Sequence, residues 1–229
     1  MGAVQSAPIL LYQKKRMIYM KKVLVAIAVL TLSVLMATSV FAQDNKLAFF
    51  AIDSDLATVG YQGGVSMMGI GGGDRVGFAV YVKNVDQLRT VSLDISWDGA
   101  KAEMAGEAGY GVDIDDRTVN GASITVSEPS AMGDVSGIVN VDEAGHYNED
   151  FAQLGGDALA SSDYALVYCV VLRTDSAFTT DDSFTVNVGV KVLNDAGVEK
   201  DLGMRQFYVN GSVDVKTSTW GEIKSQFKD

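Results

Sequence analysis

The chain has 229 residues, with 18 Lys and Arg, 29 Asp and Glu, one Cys and one His. So acidic a chain carries no electrostatic footprint for nucleic acid. One Cys excludes an internal disulfide and a multi-cysteine zinc site, and one His excludes a multi-histidine site. The charge is unevenly placed. The first 42 residues hold five bases and no acid, leaving 13 bases and 29 acids beyond them, a net charge near −16.

Residues 1–42 read as an export signal. Lys21 and Lys22 form a positive start, and Val23 to Met36 is an apolar run of 14 residues. Small residues follow, with Val40 and Ala42 at the −3 and −1 positions of a cleavage site. The run is shorter than the roughly 20 residues that span a bilayer. No Cys follows it and no Arg-Arg pair precedes it, which favours the general secretory route over a lipoprotein or twin-arginine one. Met17 and Met20 both suit a start, so residues 1–19 read as lying upstream of the true one. The expected product is secreted by a bacterial-type signal, with no membrane association after cleavage.

From Gln43 onward, 187 residues suit one all-β domain held by packing. Leu47–Ile52 is a first weak strand candidate. Val76–Lys83 alternates, with Val76, Phe78, Val80 and Val82 on one face. Val91–Trp97 repeats this, setting Ser92, Asp94 and Ser96 on the opposite face. Period two with one apolar face predicts half-buried antiparallel strands. Shorter candidates follow at Ala102–Ala105, Val112–Ile114, Ser123–Val126 and Gly137–Val141. Asp150–Ala160, rich in Ala, Leu and Gly, reads as a loop with a helical turn. Leu166–Leu172 is apolar on both faces and predicts a central strand. Phe184–Val192 alternates again, and Gln206–Val209 and Ser212–Val215 close the series. Asp98-Gly99, Asn120-Gly121, Asn194 to Gly197 and Asn210-Gly211 mark turns. Residues 43–217 are thus expected to form an antiparallel β-sandwich or jelly roll of about nine strands. The tail 218–229 is expected to be a short helix, with Thr219 and Glu222 at capping-box spacing and Trp220, Ile223 and Phe227 on one stripe.

No catalytic or cofactor-binding residue is assigned, and no enzyme is expected. The glycine run Gly69 to Gly73 is followed by Asp74-Arg75 and a strand, so it reads as a turn and not a phosphate loop. His146 lies in a polar stretch without a nucleophile motif and reads as a loop residue. Cys169 alternates inside the most apolar strand, where a thiol is inert. The acidic runs Asp53–Asp55, Asp113–Asp116, Asp142–Asp150 and Asp181-Asp182 are oxygen-rich, which suits Ca²⁺, but none matches the calcium-loop template. Calcium is the one cofactor left open, and no metal ligand is assigned. Tyr61, Tyr81, Tyr110, Tyr147 and Tyr208 are the candidates for a sugar-stacking strip.

A family resemblance rests on an ordered series of these strands. Gly73-Asp74-Arg75-Val76 with Val80, Val82, Asn84 and Val85 resembles the opening of cohesin modules. Leu93 to Asp98 is similar to the family's strand ending in Tyr-Asp, with Trp97 in place of Tyr, and Ala102-Glu103-Met104 follows. Ala165–Thr174 and Phe184–Val192 resemble its long apolar strands, and Asn210 to Val215 its closing one. The resemblance implies a nine-stranded jelly roll and a non-catalytic partner of dockerins in extracellular polysaccharide-degrading assemblies. The expected function is therefore recognition of a protein module or a polysaccharide, and the alternative is a structural subunit of a cell-surface assembly. N-terminal sequencing of the secreted protein is expected to begin at Gln43. A chain still carrying Lys21 and Lys22 contradicts the cleavage site.

Overall fold

The computed structural model describes residues 47–113 and 117–211. The export segment, the Ser212–Val215 strand and the tail with Trp220, Ile223 and Phe227 lie outside the described residues. No helix occurs among the described residues. The strands in chain order are β1 Phe49–Asp53, β2 Ser66–Met67, β3 Arg75–Lys83, β4 Val85–Ser96, β5 Ala102–Met104, β6 Gly111–Asp113, β7 Arg117–Val119, β8 Ala122–Ile124, β9 Ser127–Pro129, β10 Val135–Glu143, β11 His146–Gln153, β12 Leu159–Ser161, β13 Ala165–Thr174, β14 Phe184–Asn194 and β15 Glu199–Val209.

Two sheets make the sandwich. The smaller has the order β1-β3-β13-β5, and the larger β10-β11-β4-β14-β15-β2, with β12 added against β4. All pairs are antiparallel except β15 with β2. Nine of these strands form the frame, eight of them where the sequence marks a strand and the ninth, β11, where it does not. The other six (β2, β6 to β9 and β12) are pieces of two or three residues. The alternating stretches form β3, β4 and β14, and the doubly apolar one forms β13, between β3 and β5.

Two expectations are corrected. Asp150–Ala160 holds no helical turn: Asp150–Gln153 completes β11 and Leu159–Ser161 is β12. Phe151 decides this. It is 1% exposed and stands in register between Val91 of β4 and Gly137 of β10. Pairing on both sides overrides the local Ala and Gly composition. His146 likewise lies in no loop but opens β11.

The core between the sheets is aliphatic and aromatic. Phe78 of β3 and Phe207 of β15 meet with ring centroids 4.7 Å apart. Trp97 is buried, and its Nε1 donates to the carbonyl of Ala102 at 2.7 Å, tying the end of β4 to β5. Two carboxylates are buried, Asp53 at the end of β1 and Glu149 of β11, and Glu149 is 5% exposed. Its carboxylate accepts hydrogen bonds from Tyr110 and, at 2.7 Å, from Tyr147, whose hydroxyl lies 3.3 Å from that of Tyr168. Burial is what a charge tolerates only with such partners. Gly137 makes room for them, since a Cβ there would collide with Tyr110 and Glu149.

The small sheet is covered on its far side as well. Leu56, Val112, Val119 and Ile124, from the segments around it, pack on Ala79, Tyr81, Cys169 and Val171. Gly77 admits this layer, because a Cβ there would lie 2.7 Å from Leu56 and 2.8 Å from Val119. Asn120 then clamps it. Its side chain accepts from Gly77 N at 2.9 Å and donates to Gly77 O at 2.7 Å and Ser54 O at 2.8 Å. Asn120 and Gly121 both have positive φ, as a two-residue hairpin turn between β7 and β8 requires.

Burial, followed by the Glu149 hydrogen bond, pushes the Tyr110 phenol well above its ordinary value. Burial also leads for Tyr168, and Tyr147 is pushed up to about 12. A phenol whose folded value is raised stabilises the fold below its unfolded pKa of about 10, and that stability is lost as the pH rises through the folded values. The expected outcome is cooperative alkaline unfolding between about pH 10 and 12, with these tyrosines ionising only as the near-ultraviolet dichroism collapses. Full ionisation of all tyrosines in a chain that keeps its dichroism contradicts the network.

Candidate functional site

The far face of the large sheet has no covering layer among the described residues. Alternation puts Val91, Leu93 and Ile95 of β4 in the core and Ser92, Asp94 and Ser96 outside. The same rule exposes His146, Asn148 and Asp150 on β11 and Asn187, Gly189 and Lys191 on β14. The ladders align them in rows. His146, Ser96, Asn187 and Gln206 form one; Asn148, Asp94, Gly189 and Met204 form the next; Asp150, Ser92 and Lys191 form a third, with Asp201 opposite Lys191.

These residues, apart from Asp150 and Gln206, line a groove of about 700 Å³. Its floor is Gly189. This glycine has no positive φ, and a Cβ there would meet only Asp94, at 3.6 Å and beyond, an ordinary contact. Neither backbone nor packing therefore requires glycine, although a glycine inside a strand costs about 0.5–1 kcal/mol relative to Ala. A glycine inside a strand marks a bulge or a close approach by another molecule, and here the β14–β15 register shifts between Gly189 and Lys191. Asp94 and Met204 wall the gap, with the Met204 residue 70% exposed and the Asp94 side chain 60% exposed.

His146 sits at one end. Its Nε2 is 3.0 Å from Asp94 Oδ1 and its Nδ1 is 3.8 Å from Glu143 Oε1. Asn140, in the bulge of β10, donates to Asn148 at 2.9 Å and to Asp150 at 2.8 Å. Gln206 donates to Asn187 at 3.1 Å. The hydrogen bonds run along the face and hold its polar groups in fixed positions. Exposed carboxylates and amides offer acceptors to an incoming surface. Sequence reasoning placed Ser92, Asp94 and Ser96 on this face correctly, but missed Asn148, Asp150 and Gly189. The inward Glu149 breaks the apolar alternation that would have revealed β11.

The remaining residues singled out in the sequence serve the fold. The run Gly69 to Asp74 is a turn that enters β3, where Asp74 accepts from Gly71 N at 2.7 Å. Cys169 is buried in β13, and burial pushes its thiol up to about 12. Two of the acidic runs turn carboxylates onto backbone donors: Asp53 accepts from Asp55 N at 2.9 Å, and Asp182 from Thr179 N at 2.9 Å. Among the described residues, no three or more His, Cys, Asp or Glu come together as a metal site. The tyrosines do not line up. Tyr81 and Tyr147 are buried, Tyr110 bonds Glu149, Tyr61 stacks on Tyr164 at 3.9 Å, and only Tyr208 lies by the open face.

No protein-family model matches the chain, and no curated protein matches it. Solved structures similar to it are cohesin modules. The sixth cohesin of scaffoldin B from Acetivibrio cellulolyticus, in complex with a dockerin, is 12% identical with a TM-score of 0.46, over 72% of this chain and 99% of that one. A non-cellulosomal cohesin from Archaeoglobus fulgidus is 11% identical with a TM-score of 0.43, over 80% and 99%. A type I cohesin–dockerin complex from Clostridium thermocellum is 12% identical with a TM-score of 0.44, over 71% and 96%.

Filling the groove tests whether Gly189 is held for the fold. Gly189→Thr is expected to leave the melting temperature unchanged or to raise it by about 2 °C, since strands favour β-branched residues. A fall of more than about 5 °C in a thermal melt would show that the glycine is structural.

Proposed function

We propose that the chain is a non-catalytic recognition module, which binds a protein partner on the far face of its large sheet. The observation that carries this is an asymmetry of burial. The small sheet is covered on both sides, while the large sheet presents fixed polar rows around an unfilled Gly189. The face supplies hydrogen-bond acceptors and one long apolar wall, Met204, which suits a protein surface. Polysaccharide binding needs a platform of aromatic rings, and the described tyrosines other than Tyr208 turn their rings to one another or to the core. His146 bonds Asp94 and lies near Glu143, with no hydroxyl bonded to it among the described residues, so it reads as a contact residue and not a base. A dockerin is the partner to try first, because dockerins accompany cohesins in solved complexes similar to this chain and the strand series resembles that family. The basic, apolar start of the sequence supports an extracellular setting for it.

Calorimetric titration against a panel of dockerins, with cellulose, xylan and chitin in parallel pull-downs, tests this reading. Binding to a dockerin is expected, weakened at least about tenfold by Asp94→Ala and by Gly189→Thr, equivalent to about 1.4 kcal/mol each. Retention on a polysaccharide, unchanged by both substitutions, would overturn it.

A further inference from the structure

A second charged site lies at the opposite side of the molecule. Arg75 of β3 and Arg173 of β13 stand directly opposite each other in the small sheet. Like charges in that relation destabilise a sheet. Arg117 of β7 joins them from the covering layer. These are half of the six arginines in a chain whose net charge is −11. All three converge on one oxygen of one carboxylate. Glu107 Oε1 is 3.1 Å from Arg75 Nε, pairs closely with Arg117, and is 3.9 Å from Arg173. Among the described residues, no other carboxylate lies within ion-pair distance of the three. Burial alone would raise the Glu107 pKa, but the Arg75 hydrogen bond and the arginine charges hold it below its ordinary value. Its second oxygen, Oε2, is buried with no donor. Within ion-pair distance one carboxylate therefore serves three guanidinium groups, and Glu103 of β5, opposite Arg173 in the ladder, is the next acid along the same row. Arg117 and Arg173 keep 46% and 43% of their side-chain surface open to solvent.

We infer that Arg117 and Arg173, backed by Arg75, form a binding site for an oxyanion of the sulfate or carboxylate class. Guanidinium groups present forked donors that match the paired oxygens of such groups. An anion seated between them relieves the repulsion between Arg75 and Arg173, which Glu107 relieves only through one oxygen. The acidic surface around the site repels polyanions at long range, and salt screens that repulsion more than it screens the short contacts to the arginines. The inference is independent of the face proposed above, which lies on the other sheet.

The test is a pair of titrations of the purified full chain, one with sodium sulfate and one with sodium acetate, against chloride at matched ionic strength. Sulfate stabilises proteins generally by exclusion from their surfaces, so the variants decide. At ten times the dissociation constant, the melting temperature is expected to rise by about 4 °C over the chloride control. That rise is expected to vanish in Arg117→Gln and in Arg173→Gln, whose part-exposed side chains can be replaced without opening the core. Glu107→Gln, which removes the resident carboxylate, is expected to tighten binding about tenfold. A response to sulfate alone assigns the site to tetrahedral oxyanions, and a response to both assigns it to either class. An equal rise in both arginine variants would overturn the inference, as would no rise with either anion.

Discussion

Strand β13 is apolar on both sides, and the rest of the architecture answers that constraint. One side faces the core it shares with the large sheet. The other side, with Cys169 and Val171, needs a second cover. That cover is drawn mostly from the chain between β5 and β10 and from the stretch after β1, and it closes over the small sheet through Gly77. A side chain at Gly77 would hold the layer off by its own width, since its Cβ would already touch Leu56 and Val119. Asn120 completes the contact with polar bonds to the strand's own backbone, so the layer is seated by direction as well as by apolar area. Once the small sheet is enclosed, the large sheet carries the face left open to another molecule.

That open face is held in place from beneath. Glu149 lies on β11 one residue from Asn148 and Asp150, and its bonds to Tyr110 and Tyr147 fix the strand from the inside. The exposed neighbours inherit this order. A buried charge with full hydrogen bonding is costly to replace piecemeal, because deleting one partner leaves the others unpaired in a low-dielectric core. The rigidity of the polar rows outside thus depends on a polar network inside.

Much of this was legible in the sequence, and the limits have physical causes. β3, β13 and β14 are visible because each places its apolar residues at every second position or at all of them. The Asn120-Gly121 turn is visible because few residues besides Asn and Gly tolerate its backbone. β11 was hidden, since His146 to Gln153 puts a carboxylate where an apolar residue is expected and relies on ladders to β4 and β10. The second layer was hidden too. Its strands are three residues long, and their burial depends on a sheet distant in sequence. For the binding face, Ser92, Asp94 and Ser96 followed from alternation, but the groove arises only where Gly189 comes beside Asp94. The gathering of Arg75, Arg117 and Arg173 around Glu107 is likewise a product of register and not of any local motif.

The single thiol gains a use from its address. Cys169 stands where the two hydrophobic layers share a strand, 1% exposed. Its sulfur, on the side facing the outer layer, meets solvent only when that layer parts from β13. A thiol reagent therefore reads the rate at which the interior opens, residue-specifically and without any introduced label. Exchange limited by whole-domain unfolding means that both layers open as one cooperative body. Faster labelling means that the outer layer lifts off alone, and that the sandwich beneath it is a separable unit of stability.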